Sequence, residues 1–394
     1  MKKNGLIFLF IIILALLIGL IAFSSKNNGN VIQNPTGNLI DLTKENKSKV
    51  IWNGSNSLIY DEYIYYVDNE VGYNGESENK ICRIKLTGES KVEVLYKTSQ
   101  YDIENRLYVF NNNLFFTVLG QTLYMNLEDT SYIKKFCVGK LYSIQDGNII
   151  YLYQNKICKA EYYKETLVVR NPTSLVSGNS SFMMEDDVNL YFSSSNSDGS
   201  ISIFKVNKEK QYANVLDRIY MTNESEQHVI GSAVTDNSLY VLIEKNLPAT
   251  GFKYVIKKVK KDGSETQLID LTGTVYEIKY ADSSNIYFSY YGETELKKYS
   301  ERSAQIESVK ESDMPLIYSL QKEETALKLY KNNSLICDIC EVYRENAQDI
   351  NIREKDNYIY IDFNLVDGMS SVEEYMIYRV KNDGTELERL NKNI

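Results

Sequence analysis

Chemistry that needs an imidazole has one place to happen in this 394-residue chain, because His228 is its sole histidine. It stands in Glu226-Gln227-His228-Val229, a polar entry into a strand-like run. A Ser-His-Asp or Cys-His arrangement would have to pass through it. No Gly-x-Ser-x-Gly elbow supplies a nucleophile. A site built from two or three histidines is excluded within one chain. Acid–base chemistry by paired carboxylates stays open, since Asp and Glu together number 53. The adjacent pairs Asp186-Asp187 and Glu323-Glu324 both fall in turn-like sequence, which favours solvated turn acids. No Gly-rich phosphate loop of either common spacing is present.

Five cysteines remain: Cys82, Cys137, Cys158, Cys337 and Cys340. Cys82 and Cys158 lie in matching contexts, Lys80-Ile81-Cys82-Arg83 and Lys156-Ile157-Cys158-Lys159, and read as the same strand position in two repeats. Cys337-Asp338-Ile339-Cys340 has CxxC spacing. In a regular strand, residues i and i+3 point to opposite faces, so these two sulfurs are not expected to share a metal. The expectation is packing cysteines, with a redox or metal pair and a disulfide as the alternatives. No catalytic, cofactor-binding or metal-binding residue is assigned, and the residues of any binding site are left open.

The elements around these residues are strands. One phrase recurs as Tyr63-Ile64-Tyr65-Tyr66-Val67-Asp68, Asn189-Leu190-Tyr191-Phe192-Ser193-Ser194, Asn285-Ile286-Tyr287-Phe288-Ser289-Tyr290 and Asn357-Tyr358-Ile359-Tyr360-Ile361-Asp362. Related runs begin near Leu114, Ile149, Leu239 and Leu327, making eight units of unequal length. All-strand repeats of roughly 40 residues point to an all-β fold, a β-propeller of four-stranded blades. Eight units are counted, with six or seven blades as alternatives. The second strand of each unit is apolar on both faces, as a sheet sandwiched between neighbours requires, whereas the fourth alternates like an edge facing water. The tyrosines, 33 in all, sit mostly inside these phrases and are expected to fill space between blades. Four prolines suit a fold with many paired strands, since each proline deletes a ladder donor.

Turns supply the sharpest local signals. Lys261-Asp262-Gly263-Ser264 and Asn382-Asp383-Gly384-Thr385 read as hairpins between third and fourth strands, and Asp198-Gly199 as one between second and third. None has the DxDxDG spacing of a calcium loop. The seventh unit, from Leu316 to about Asn346, is the weakest, with a poorly defined fourth strand. Two closures of the ring stand open. Leu39-Ile40-Asp41-Leu42-Thr43 repeats Leu268-Ile269-Asp270-Leu271-Thr272 and could complete the last blade, yet Leu387 to Leu390 could serve as that blade's own outer strand.

Lys2 and Lys3 precede an unbroken apolar run from Leu6 to Phe23. As a helix it would span roughly 27 Å, close to the ~30 Å hydrocarbon core of a bilayer. Residues 1–5 are expected to stay cytoplasmic, 6–23 to form a transmembrane anchor or uncleaved signal, 24–38 a polar linker, and 39–394 the propeller outside the membrane. A cleaved signal peptide is the competing reading, with Ala22-Phe23-Ser24 as its cleavage site, although the run exceeds the usual signal core. The net charge of −9 argues against nucleic acid as a partner, and against lying flat on anionic lipid.

The phrase Tyr65-Tyr66-Val67-Asp68 resembles the YWTD-type repeat of lipoprotein-receptor propellers, which have six blades. Tyr191-Phe192-Ser193-Ser194 and Tyr287-Phe288-Ser289-Tyr290 match it less well. Tyr254 to Ser264 and Ile377 to Leu387 resemble the TolB-like propeller repeats of Gram-positive bacterial surface proteins. The resemblance covers about residues 39 to 394 and departs from the YWTD pattern in lacking its tryptophan, since the one Trp, Trp52, precedes the first unit. It implies a propeller and no particular activity. The expectation is a membrane-anchored, extracytoplasmic binding or scaffolding module for an envelope protein or wall ligand, working without a cofactor. The rival is a carboxylate-based glycosidase or lyase on the same scaffold, marked by acids, tyrosines and arginines converging at the channel mouth.

Overall fold

The computed structural model describes most of residues 57–391, with gaps at some loops, and three short strands before them, Val31–Gln33, Leu39–Asp41 and Ile51–Trp52. The apolar run from Leu6 to Phe23 lies outside the described residues, and with it the expected anchor and linker. Among the described residues every regular element is a strand.

The strands form consecutive antiparallel sheets, numbered here along the chain. Sheet 1 comprises Ser57–Tyr60, Tyr63–Val71, Ser77–Lys85 and Val92–Thr98. Sheet 2 comprises Tyr108–Phe110, Asn113–Val118, Gln121–Asn126 and Ile133–Val138, with Ile51–Trp52 added beside its first strand. Sheet 3 comprises Lys140–Gln145, Asn148–Tyr153, Lys156–Tyr163 and Val168–Ser174. Sheet 4 comprises Asn179–Glu185, Asn189–Ser195, Ile201–Asn207 and Leu216–Met221. Sheet 5 comprises Gln227–Val234, Ser238–Leu247, Gly251–Lys260 and Thr266–Ile269. Sheet 6 comprises Val275–Ala281, Asn285–Tyr290, Leu296–Ser300 and Ile306–Val309. Sheet 7 shows three strands among the described residues, Tyr318–Glu323, Ala326–Lys331 and Ser334–Glu341. Sheet 8 comprises Asn346–Lys355, Tyr358–Val366, Val372–Lys381 and Glu388–Arg389.

Period-two alternation explains how the sheets stack. In sheet 1, Ile64, Tyr66, Cys82 and Ile84 pack with Tyr360, Tyr375 and Ile377 of sheet 8. Their neighbours Tyr65, Val67 and Ile81 pack the other way, with Val109, Leu114 and Phe116 of sheet 2. The same scheme joins sheet 2 to 3, 3 to 4, 4 to 5, 5 to 6, and 7 to 8. Each buried Ile or Phe contributes about 1.5–3 kcal/mol, so second strands buried on both faces hold most of the packing energy. First strands of neighbouring sheets touch one another, as in sheets 4 and 5, 5 and 6, and 7 and 8, while fourth strands such as Val168–Ser174 are largely exposed. Sequential four-stranded sheets with converging first strands and solvated fourth strands make a β-propeller.

The joint between first and last sheets is polar at its centre. Asp362, in the second strand of sheet 8, is fully buried and ion-paired with Arg353 of the first strand. Ser57 Oγ of sheet 1 donates to Asp362 Oδ2 at 2.8 Å, and the Arg353 guanidinium donates to both the Ser57 hydroxyl and its carbonyl. Tyr375 donates to Asp362 Oδ1 at 2.8 Å and Asn351 Nδ2 to Oδ2 at 3.1 Å, so both carboxylate oxygens are satisfied. Nearby, Arg379 donates to the carbonyl of Leu86, binding the two sheets a second time.

Of the two closures left open by the sequence, the second is found: sheet 8 owns its fourth strand, Glu388–Arg389. Leu39–Asp41 instead pairs with Val31–Gln33 as a separate two-stranded ribbon. Ile51–Trp52 pairs with Tyr108 and Val109, so this stretch joins the inner edge of sheet 2.

One expectation is corrected. Cys337 and Cys340 do not face opposite ways. Register slips beside Leu329 and beside Leu327 each insert one extra residue into the third strand of sheet 7. A bulge of this kind resets the alternation. Cys337 therefore opposes Leu329 and Cys340 opposes Leu327, two residues apart on one face, and both pack into the core shared with sheet 8. Cys82 and Cys158 hold equivalent registers, opposite Tyr66 and Tyr151, and all five cysteines are unpaired.

The Asp-Gly turns adopt one geometry. Asp262 Oδ1 accepts from the Ser264 amide and hydroxyl, Asp383 Oδ1 does the same with Thr385, and Asp198 Oδ1 with Ser200. Gly384 has φ +83°, and a Cβ there would stand 2.5 Å from the Ile336 carbonyl oxygen of sheet 7. Gly120 has φ +65° with nothing within 4 Å. Gly120→Ala should cost about 1–2 kcal/mol from backbone strain alone. Gly384→Ala should cost clearly more in chemical denaturation, because the neighbouring sheet must also move. Equal losses would show that this turn does not press on sheet 7.

Candidate functional site

The sequence assigned no site residue, and the first strands bring several polar groups together. In sheets 2, 3 and 4 these strands place Tyr108, Tyr142 and Phe182 around one guanidinium. Arg106 lies 5.5 Å from the Tyr108 ring centroid, 4.6 Å from that of Tyr142 and 4.5 Å from that of Phe182. Tyr142 and Phe182 stack at 4.6 Å, and a bulge beside each lets their rings turn toward one another. Cation–π contact of this kind is worth about 2 kcal/mol or more when desolvated.

Arg106 also leads into a ladder of alternating charge. Its Nη2 lies 3.2 Å from Glu185 Oε1, at the end of the first strand of sheet 4. Glu185 Oε2 lies 3.4 Å from Lys208 Nζ, just past the third strand, and the same ammonium donates to the Asp186 carbonyl. Asp186 Oδ2 in turn lies 2.8 Å from Lys261 Nζ, in the Asp-Gly turn of sheet 5. On the other side, Lys140 pairs with Glu104 and sits over Tyr142. The ladder thus crosses four consecutive sheets.

Burial splits the two acids. Glu185 is almost sealed, and desolvation raises its carboxyl above the ordinary 4.5 against the opposing pull of Arg106 and Lys208. Desolvation also pushes Asp186 upward, but Lys261, Tyr191 and the Asn189 amide outweigh it and leave the group below its ordinary 3.8.

Beside Lys208 lies a small hollow of about 10 Å³, lined by Ser143, Gln145, Asn148, Ile149, Ile150 and Lys159 of sheet 3. Burial lowers the Lys159 ammonium, opposed by Glu161. The lining offers hydroxyl, amide and ammonium groups and no carboxylate. The hollow has room for about one water-sized group.

The residues singled out in the sequence fall as follows. Asp186 is in a turn, as expected, but it is not a solvated acid. Its Oδ1 accepts the amides of Val188 and Asn189, and its Oδ2 accepts the Tyr191 hydroxyl at 2.8 Å. Asp282 repeats this with Ser284, Asn285 and Tyr287. The recurring Asn-Leu/Ile-Tyr phrase is therefore the visible part of a longer unit, Asp-x-x-Asn-Leu/Ile-Tyr. In sheet 5 Thr235 replaces the Asp, and the Tyr240 hydroxyl goes to Glu301 of sheet 6 at 2.8 Å. Asp187 and Glu324 lie outside the described residues. His228 is an exposed strand residue opposite Glu244, remote in register from the ladder. Sequence reasoning missed Arg106, Glu185, Lys208 and Lys261. The repeated Asp-x-x-Asn-Leu/Ile-Tyr unit would have flagged the turn next to three of them, whereas Arg106 carried no signal.

No protein-family model and no curated protein sequence matches the chain. Among solved structures it is similar to the tricorn protease, at 11% identity and a TM-score of 0.38, over 85% of this chain and 39% of that one. The present chain thus spans well under half of that protein. It is similar to polysaccharide lyase Uly1, at 10% identity and a TM-score of 0.45, over 83% of this chain and 90% of that one. It is also similar to the β-propeller domain of the Trilobed protease from Pyrococcus furiosus, described as having an open velcro topology, at 12% identity and a TM-score of 0.42, over 87% of this chain and 98% of that one.

The opposite shifts of the two acids give a signed test. Glu185, raised on folding, favours the folded state most below its unfolded value of about 4.5 and loses that contribution as pH rises toward its folded value. Asp186, lowered on folding, contributes above its unfolded value of about 3.8 and loses this as pH falls through its folded value. Melting temperature followed from pH 3 to 7 should therefore show Glu185→Gln gaining on the wild type above about pH 4.5. Asp186→Asn should be destabilised chiefly on that same neutral side. Parallel curves for all three proteins would contradict the assignment.

Proposed function

We propose that this protein is an eight-bladed propeller, tethered by its apolar amino-terminal run to the outer face of a bacterial membrane, that binds an envelope protein or wall ligand without transforming it. The eight sheets, with the last packed on the first, support the blade count. The apolar run flanked by Lys2 and Lys3 supports the tether.

The charge ladder carries the binding reading. Glu185 is bridged between Arg106 and Lys208, and Asp186 between Lys261 and Tyr191. Carboxylates clamped in this way form a fixed electrostatic frame. Proton transfer would require them to leave partners that hold them at hydrogen-bond distance. The hollow beside the frame, lined by Ser143, Gln145, Asn148, Lys159 and Lys208, presents polar groups to a ligand from outside.

A second reading has one observation in its favour. Glu185 is held protonated to higher pH than an ordinary glutamate, which is the state a general acid needs. On that reading the protein would cleave an anionic glycan.

One experiment separates the two. The full-length protein is reconstituted in lipid nanodiscs and incubated with solubilised envelope and wall fragments. The binding reading predicts one component recovered unchanged, with recovery falling at least tenfold in Asn148→Ala/Lys159→Glu. Recovery that ignores this double substitution would overturn the assignment of the hollow. Release of cleaved glycan that stops in Glu185→Gln would establish the enzymatic reading instead.

A further inference from the structure

Sheets 8 and 1 meet under a condition that no other neighbours in the ring share. Successive sheets are joined by the chain itself, which runs from the last strand of one to the first strand of the next, as from Val138 through Gly139 to Lys140. Sheets 8 and 1 hold the two ends of the ring and have no such link. Neither lends the other a strand, since each is built from its own four. Their joint rests on side chains, namely the Arg353–Asp362–Ser57 network and the apolar layer of Ile64, Tyr66 and Ile377 beside it.

The short strands ahead of sheet 1 lie at this joint. Ile51–Trp52 pairs antiparallel with Tyr108 and Val109, beyond the first strand of sheet 2 and therefore on the channel side of the ring. It also comes within 8 Å, Cα to Cα, of Ser57–Tyr60, the first strand of sheet 1. Val31–Gln33, paired with Leu39–Asp41, comes within the same 8 Å of Asn346–Lys355, the first strand of sheet 8. One stretch of chain thus meets the first strands of sheets 8, 1 and 2, which are consecutive round the ring. Only Asn53-Gly54-Ser55-Asn56 separates Trp52 from Ser57, so the strand that pairs with sheet 2 is leashed directly to sheet 1. A leash this short keeps the pairing segment at a high effective concentration beside its partner.

We infer that these three strands form an inner strap, which holds sheets 8, 1 and 2 together from the channel side in place of a strand shared between the first and last sheets. The first strand of a sheet has one edge paired with the second strand, while its other edge offers backbone amides and carbonyls toward the channel. Ile51–Trp52 covers that edge at two positions of sheet 2, Tyr108 and Val109. Such a short pairing holds little by itself. Its effect comes from what it selects. The strap meets all three of its partners only while sheets 8 and 2 both stand beside sheet 1, so its seating favours the closed ring over one opened at the joint.

The test is native-state hydrogen exchange on the full chain, comparing the wild type with Ile51→Pro/Trp52→Pro. Proline removes both backbone donors of the strand and leaves the sequence of every sheet unchanged. Amides in Ser57–Tyr60, Tyr108–Phe110 and Asn346–Lys355 should each lose roughly tenfold in protection, whereas those in Gln227–Val234 and Val275–Ala281 of sheets 5 and 6 should keep theirs. Loss confined to Tyr108–Phe110, or no loss in any of the three, would overturn the strap. If the double-proline variant does not fold, Ile51→Cys/Val109→Cys decides instead, because these two residues are register partners. Once oxidised and joined, that protein should protect Ser57–Tyr60 and Asn346–Lys355 better than its reduced form does. Equal protection in the two forms, or failure of the introduced cysteines to join, would overturn the proposal.

Discussion

A guanidinium and a carboxylate, both sealed from water, sit where the last sheet meets the first. Arg353 and Asp362 belong to sheet 8, yet each also hydrogen-bonds Ser57 of sheet 1. Apart from this joint and the pairing of Ile51–Trp52 with sheet 2, the propeller can be built sheet upon sheet from local hairpins. This joint cannot, because its partners stand 296 and 305 positions apart in the chain. A buried ion pair is a weak source of net stability against a well-packed apolar alternative, but breaking one partner costs about 3–5 kcal/mol. Its value is selectivity. The apolar faces of the sheets are chemically alike, and any could stack on any other. The meeting of sheets 8 and 1 adds Ser57 to the partners of both Asp362 and Arg353.

The charge ladder of sheets 2 to 5 works by related physics elsewhere in the molecule. Both features draw in part on first-strand residues, Ser57 and Arg353 in one and Lys140 and Glu185 in the other. They differ in access. The Arg353–Asp362 network is closed, with both Asp362 oxygens occupied by protein donors. The ladder runs beside a small hollow, and Lys208 belongs to both. A closed network fixes the shape of the ring, and one that borders a hollow can present that fixed charge to a ligand.

Much of the architecture was legible because it follows from period-two alternation. Second strands begin at Tyr63, Asn113, Asn148, Asn189, Ser238, Asn285, Ala326 and Tyr358, at or next to the places where the Tyr-rich phrase recurs. The weak seventh unit is the sheet with three described strands. What alternation misses is any departure from alternation. The bulge between Asp338 and Cys340 that brings Cys337 and Cys340 to one face leaves no mark in the spacing of residues. The insertion of Ile51–Trp52 beside sheet 2 is a long-range pairing with no turn to announce it. Arg106 precedes a strand of only three residues and gains its meaning from rings on two other sheets. Asp362 and Asp186 both sat in quoted or flagged stretches, but a turn acid and a buried acid read alike until the neighbouring sheet is known.

Closure through sheets 8 and 1 is the claim on which the ring depends, and native-state hydrogen exchange of Asp362→Asn tests it most directly. The account predicts that amides in Ser57–Tyr60 and Tyr63–Val71 lose protection together with those of Asn346–Lys355 and Tyr358–Val366, while sheets 3 to 5 keep theirs. Loosening confined to sheet 8, with sheet 1 as protected as in the wild type, would contradict it.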